Sequence, residues 1–162
     1  MIKSIFLSIS ALLFFQISLA QTQLKLPALV SDNMVLQQST EISIWGWAED
    51  NNSVKILPSW TQVPVSVKVN NSGKWKASLN TPVAGGPYTI ALSSSNESIV
   101  LKNVMIGEVW LASGQSNMEM PIKGYRSEPI NGNNELILNS KNSNIRMFTV
   151  ARNSSKDPKE DC

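Results

Sequence analysis

Between residues 24 and 101 the apolar positions recur at every second residue, in short runs broken by turn residues. Ile42 and Ile44 flank Ser43, while Trp45 and Trp47 fall on the opposite parity. Val63, Val65, Val67 and Val69 alternate with Gln62, Pro64, Ser66 and Lys68; Trp75, Ala77 and Leu79 alternate with Lys74, Lys76 and Ser78; Tyr88, Ile90 and Leu92 keep the same period. Successive side chains of a strand point to opposite faces, so each run offers one face to a core. Asn70-Asn71-Ser72-Gly73 between two such runs reads as a hairpin connection, and Asp50-Asn51-Asn52-Ser53 and Gly85-Gly86-Pro87 as further breaks. Several short strands at this spacing predict an antiparallel β-sandwich.

The pattern changes at Val104. Residues 104–112 are nearly continuous in apolar side chains, as in a strand buried on both faces of a parallel sheet. A polar, glycine-containing stretch, Ser113-Gly114-Gln115-Ser116-Asn117, follows it. Residues 131–144 then predict a short helix around Glu135-Leu136-Ile137-Leu138, and residues 145–150 another strand. Strand, loop, helix and strand in that order begin an α/β unit. The predicted organisation is a β-sandwich domain over 21–103 followed by the first part of an α/β, parallel-sheet domain over 104–162, incomplete, with a polar tail from 151.

Residues 1–20 have the three-part build of a secretory signal peptide: Lys3, an apolar stretch at 5–15, and Ser18-Leu19-Ala20 before the cut. The stretch is short for a membrane anchor, so the expectation is an exported protein, periplasmic or extracellular, with no membrane segment after cleavage. The chain has 162 residues and a net charge of +2, with lysines and acids scattered rather than blocked. No phosphate-tracking stripe is present, which argues against nucleic acid as a partner. With no His and a single Cys, the usual ligands of a zinc site are missing, so neither a metal nor another cofactor is expected. Cys162, the last residue, is either a free thiol or half of a pair completed elsewhere.

Ser116 is the candidate for chemistry. It follows an apolar strand by a few residues, in a turn that Gly114 makes tight, and ligands of open α/β sheets bind beyond the carboxyl ends of strands. There a hydroxyl can act as nucleophile and backbone N–H groups can face a developing oxyanion. By position alone, a serine that merely caps or closes the turn is the commoner case. Gln115 and Asn117 either touch a substrate or hold the local backbone. The alternation of Trp45, Trp47 and Trp75 favours core packing over sugar stacking.

Ile106-Gly107-Glu108-Val109-Trp110-Leu111-Ala112-Ser113-Gly114-Gln115-Ser116-Asn117-Met118-Glu119 resembles the first block of the sialate O-acetylesterases, a family of the SGNH (GDSL-like) hydrolases. Further strings resemble the family in the same order: Leu29-Val30-Ser31-Asp32-Asn33-Met34-Val35-Leu36-Gln37-Gln38, Ile44-Trp45-Gly46-Trp47-Ala48, Gly73-Lys74-Trp75, Gly85-Gly86-Pro87-Tyr88 and Asn144-Ile145-Arg146-Met147-Phe148-Thr149-Val150. The resemblance implies an SGNH-type second domain, Ser116 as the acetyl-accepting nucleophile, Gly114, Gln115 and Asn117 near the substrate, and an O-acetylated sugar or glycan as that substrate. It also implies a His oriented by an Asp in a later block; this chain has no His. Lys123, Glu108 and Glu119 are poor replacements for it. The expectation is thus the N-terminal fragment of an esterase, inactive alone. The alternative is a non-catalytic carbohydrate-binding or structural β-module.

Overall fold

The computed structural model describes residues 23–95 and 97–162. The expected signal peptide lies outside them. The described chain is strand-rich. In chain order its first seven strands are β1 (Val35–Gln37), β2 (Glu41–Trp47), β3 (Ser53–Pro58), β4 (Val65–Lys68), β5 (Lys74–Asn80), β6 (Gly85–Ser94) and β7 (Glu97–Gly107). Five of them form one sheet in the order β1-β7-β6-β3-β4, and β2 and β5 form a second. Every pairing among them is antiparallel except β1 with β7, which run parallel.

Both sheets feed one core. Val54 and Ile56 of β3, Ile90 and Leu92 of β6 and Val104 of β7 pack in a single cluster with Ile44 of β2 and Trp75, Ala77 and Leu79 of β5. The period-two alternation accounts for this directly: β5 buries Trp75, Ala77 and Leu79 and exposes Lys76, Ser78 and Asn80. Burying each large aliphatic side chain in such a cluster contributes about 1.5–3 kcal/mol relative to leaving it in water.

Asn70-Asn71-Ser72-Gly73 is a turn, but not a hairpin between paired strands. The Asn70 carbonyl accepts from Gly73 N–H, the Asn70 side-chain oxygen accepts from the N–H groups of Ser72 and Lys74, and Gly73 takes a φ of 71°. The chain turns sharply, yet β4 pairs with β3 and β5 pairs with β2. The turn therefore carries the chain from one sheet to the other. Thr81, just beyond β5, ties the sheets again: its buried hydroxyl lies 2.7 Å from the Gln37 carbonyl and 2.9 Å from that of Thr40.

The apolar run over 104–112 is not one buried strand. Its first part is the end of β7, which runs from Glu97 through position 104 and stops at Gly107. Beyond it Trp110 and Leu111 are 87% and 93% exposed. The remaining elements are small: α1 (Ser116–Glu119), the two-residue strands β8 (Gly124–Tyr125) and β9 (Glu128–Pro129), and α2 (Asn133–Leu138), which is shorter than the predicted helix. Residues 145–150 form no strand. A strand exists only through its ladder partners, and residues 145–150 pair with none of the described strands. The α/β crossover is thus not assembled among the described residues, none of which forms a helix long and apolar enough to cross a membrane.

The tightest backbone approach to a glycine is at Gly46. A Cβ there would overlap the Lys25 carbonyl, which is bridged to Trp47, and would sit 2.9 Å from the Trp75 ring. Gly46→Ala is expected to cost about 1–3 kcal/mol through overpacking, read as a lower denaturant midpoint; an unchanged midpoint would contradict this packing.

Candidate functional site

The Ser116 segment leaves the strand body at the end of β7, and the geometry at that exit is defined in detail. β1 lies parallel to β7 with Val35 opposite Met105, Leu36 opposite Ile106 and Gln37 opposite Gly107. The pairing continues beyond the strands at both ends. Upstream, Asn33 N–H donates to the Lys102 carbonyl, Lys102 N–H to the Asp32 carboxylate, and the Asn103 amide to the Asn33 side-chain oxygen. Downstream, Gln37 and Gln38 each use both ends of their side-chain amides. Gln37 accepts from Val109 N–H at 2.8 Å and donates to Glu108 at 3.1 Å. Gln38 accepts from Ala84 N–H at 2.8 Å and donates to the other Glu108 oxygen at 2.6 Å.

Glu108 is thus gripped by two amides. Those bonds, Gln38's first and Gln37's second, hold its carboxyl below the usual carboxylate range. A carboxylate that accepts two such bonds is a weak base, so Glu108 anchors the backbone and does not activate a serine. Glu119 pairs with Arg152 in an exposed ion pair. Lys123 contributes its carbonyl, which accepts from the Asn133 side chain.

Ser116 is exposed and opens α1. The turn before it closes through Met118 N–H to the Gln115 carbonyl at 2.9 Å, and Met120 N–H donates to the Ser116 carbonyl at 3.0 Å. Gly114 is needed here for space, since a Cβ would come within 2.7 Å of Met118 Cγ. Gln115 occupies the N-cap position without a side-chain capping bond, and Asn117 is exposed within the turn. The four residues Gly114, Gln115, Ser116 and Asn117 are contiguous on the exposed loop beyond the Glu108 anchor, and no described side chain stands beside the Ser116 hydroxyl as a base. Among the described residues no group of three His, Cys, Asp or Glu side chains is placed to hold a metal ion, and Cys162 is an exposed free thiol.

A third string reaches the same exit. Arg146 donates to the carbonyls of Asn33 at 2.9 Å and Asn103 at 2.5 Å, and to the Asn103 side-chain oxygen at 3.0 Å. Asn33 and Asn103 both have left-handed backbones, with φ of 66° and 54°, a region asparagine tolerates better than most residues. Gln37, Gln38, Asn33, Asn103 and Arg146 had no chemical signature in the sequence that marked them as partners. The only available signal was that each lies in or beside one of the strings that recur in order.

The chain is similar in structure to part of a carbohydrate acetylesterase. The crystal structure of such an enzyme from Xanthomonas citri matches with a TM-score of 0.58 and 34% identity, over 62% of this chain and 23% of that one. In sequence, sialate O-acetylesterases match from Mus musculus (28% identical over 141 residues, 82% of this chain), Rattus norvegicus (28% over 131 residues, 75% of this chain) and Homo sapiens (27% over 141 residues, 82% of this chain). The chain is similar over most of its length to these sialate O-acetylesterases, and it spans about a quarter of their length, 25%, 23% and 26% respectively. No protein-family model matches it.

The Glu108 grip makes a pH prediction. Its folded carboxyl titrates lower than that of an unstructured glutamate, about 4.3, so the charged form is favoured by folding. The stabilisation is present above the unfolded value and is lost as pH falls through the lower folded one. The side-chain amide resonances of Gln37 and Gln38, followed against pH, should shift with a midpoint below that of a free glutamate. A midpoint at or above it would show that the grip does not form.

Proposed function

We propose that this chain is the nucleophile-bearing part of a carbohydrate O-acetylesterase, and that Ser116 is the residue that accepts the acetyl group. The observation that carries the reading is the string Ser113-Gly114-Gln115-Ser116-Asn117-Met118, standing on an exposed turn just beyond a fixed strand end, in a chain similar to sialate O-acetylesterases. In the full reading, the two strand layers form a β-sandwich and residues from 104 onward begin an SGNH-type hydrolase domain. An N-terminal signal directs export.

The chemistry follows from the serine. Its hydroxyl attacks the ester carbonyl of an O-acetylated sugar, a base takes the proton, and the carbonyl oxygen becomes an oxyanion that N–H donors stabilise. Collapse expels the sugar hydroxyl, which takes the proton back, and leaves an acetyl-serine. Water then attacks the acetyl-serine by the same path and releases acetate. Gly114, Gln115 and Asn117 shape the turn and border the substrate. A serine hydroxyl needs an adjacent base of suitable pKa, and the 162 residues include no His. A His oriented by a carboxylate must join Ser116 for turnover. The substrate class is an O-acetyl group on sialic acid or a related sugar.

By itself the 162-residue chain should barely hydrolyse 4-nitrophenyl acetate. A form that carries a His block in addition should hydrolyse it, and Ser116→Ala in that form should lower kcat by roughly a thousandfold or more. Activity undiminished by Ser116→Ala would overturn the assignment.

A further inference from the structure

The β2–β5 sheet carries a second feature that the Ser116 chemistry does not use. Trp45 lies opposite Lys76, and Trp47 opposite Lys74. Directly opposed residues of an antiparallel pair share a face, so two tryptophans and two lysines stand together on the side away from Ile44 and Ala77. Both tryptophans are half-buried rather than sunk in the core. With Lys68 from the neighbouring strand they border a groove of about 460 Å³. None of Ser113, Gly114, Gln115, Ser116, Asn117 or Met118 lines it.

Two observations give the groove a ligand chemistry. Its rim is cationic: Lys68, Lys74 and Lys76 line it, and the Lys25 ammonium sits 5.3 Å from the centre of the Trp47 ring. A carboxylate is already seated in it, that of Glu160, which lines the groove and pairs with Lys74. Lys74 holds the Glu160 carboxyl below its usual range, with a smaller contribution from the Trp47 side chain.

We propose that this groove is a binding site for a carboxylate-bearing sugar, separate from the Ser116 centre. The sugar's carboxylate takes the place of the Glu160 side chain on Lys74. The apolar C–H face of the ring lies on the indole of Trp45 or Trp47, whose π-face is negative and attracts the polarised hydrogens. The inference stands apart from the esterase reading: it concerns a different surface and would hold for a non-catalytic module.

The test uses the whole 162-residue chain and two probes that differ at one carbon, glucuronate with a carboxylate and glucose with a hydroxymethyl group. Binding is followed by tryptophan fluorescence and by the indole N–H resonances. Glucuronate should move the Trp45 and Trp47 indole resonances, and glucose should bind roughly tenfold more weakly. Lys74→Glu should lose about tenfold in glucuronate affinity while thermal unfolding stays where it was. Glu160→Gln should strengthen binding by vacating Lys74. Ser116→Ala should leave the binding unchanged, which keeps the result independent of hydrolysis. Equal affinity for the two sugars, or an unchanged affinity in Lys74→Glu, would overturn the proposal, as would indole resonances that glucuronate does not move.

Discussion

The parallel pairing of β1 with β7 is the constraint on which the rest depends. It brings together segments about 70 residues apart, and it has no hairpin to enforce it. What fixes the register is a row of side-chain bonds outside the three backbone rungs: Asp32, Asn33 and Asn103 at one end and Gln37, Gln38 and Glu108 at the other. A slip by one residue would break all of them and turn Val104 and Ile106 out of the core. The two glutamines matter most, because each satisfies a backbone N–H while gripping the same carboxylate. That grip ends β7 at Gly107 and sets the point from which the Ser116 segment departs.

Arg146 extends the same logic. Its guanidinium closes over two asparagines in left-handed conformation, so the segment around residues 144–150 is held to the body at the Asn33 and Asn103 turns while its apolar side chains face outward. Met147 is 90% exposed, and Trp110 and Leu111 are similarly open. Extended apolar surface of this kind marks regions that pack against something, and it explains why the apolar positions at Val109–Leu111 and Ile145–Val150 read as core although these side chains are exposed here.

The strands with clean alternation, β2, β4, β5 and β6, were legible because their periodicity is local and each has one face in the core. β3 alternates as well, burying Val54, Ile56 and Pro58, but it follows a turn and ends in proline, a poor strand residue by composition. β1 is three residues long and was invisible to periodicity. β7 was divided in two by Lys102 and Asn103, whose polarity reflects a bend at the left-handed Asn103 rather than a boundary. The tryptophans of the Trp45-Gly46-Trp47 string were assigned to the core; only Trp75 is there, while Trp45 and Trp47 lie on the other face of the sheet. Ser116 stands out in the sequence by its own neighbours. The Glu108 grip was not, since its partners are about 70 residues away and nothing in a glutamine side chain announces what it will hold.

That exit geometry gives Ser116 a defined place, and the central claim is that acetyl transfer passes through it. Mass spectrometry of the acetyl-enzyme trapped during turnover of an acetylated substrate, in a form of the protein that also carries the His block, tests the claim most directly. The acetyl group is expected on the peptide that contains Ser116. Acetylation at another residue, or full turnover with Ser116 never acetylated, would contradict it.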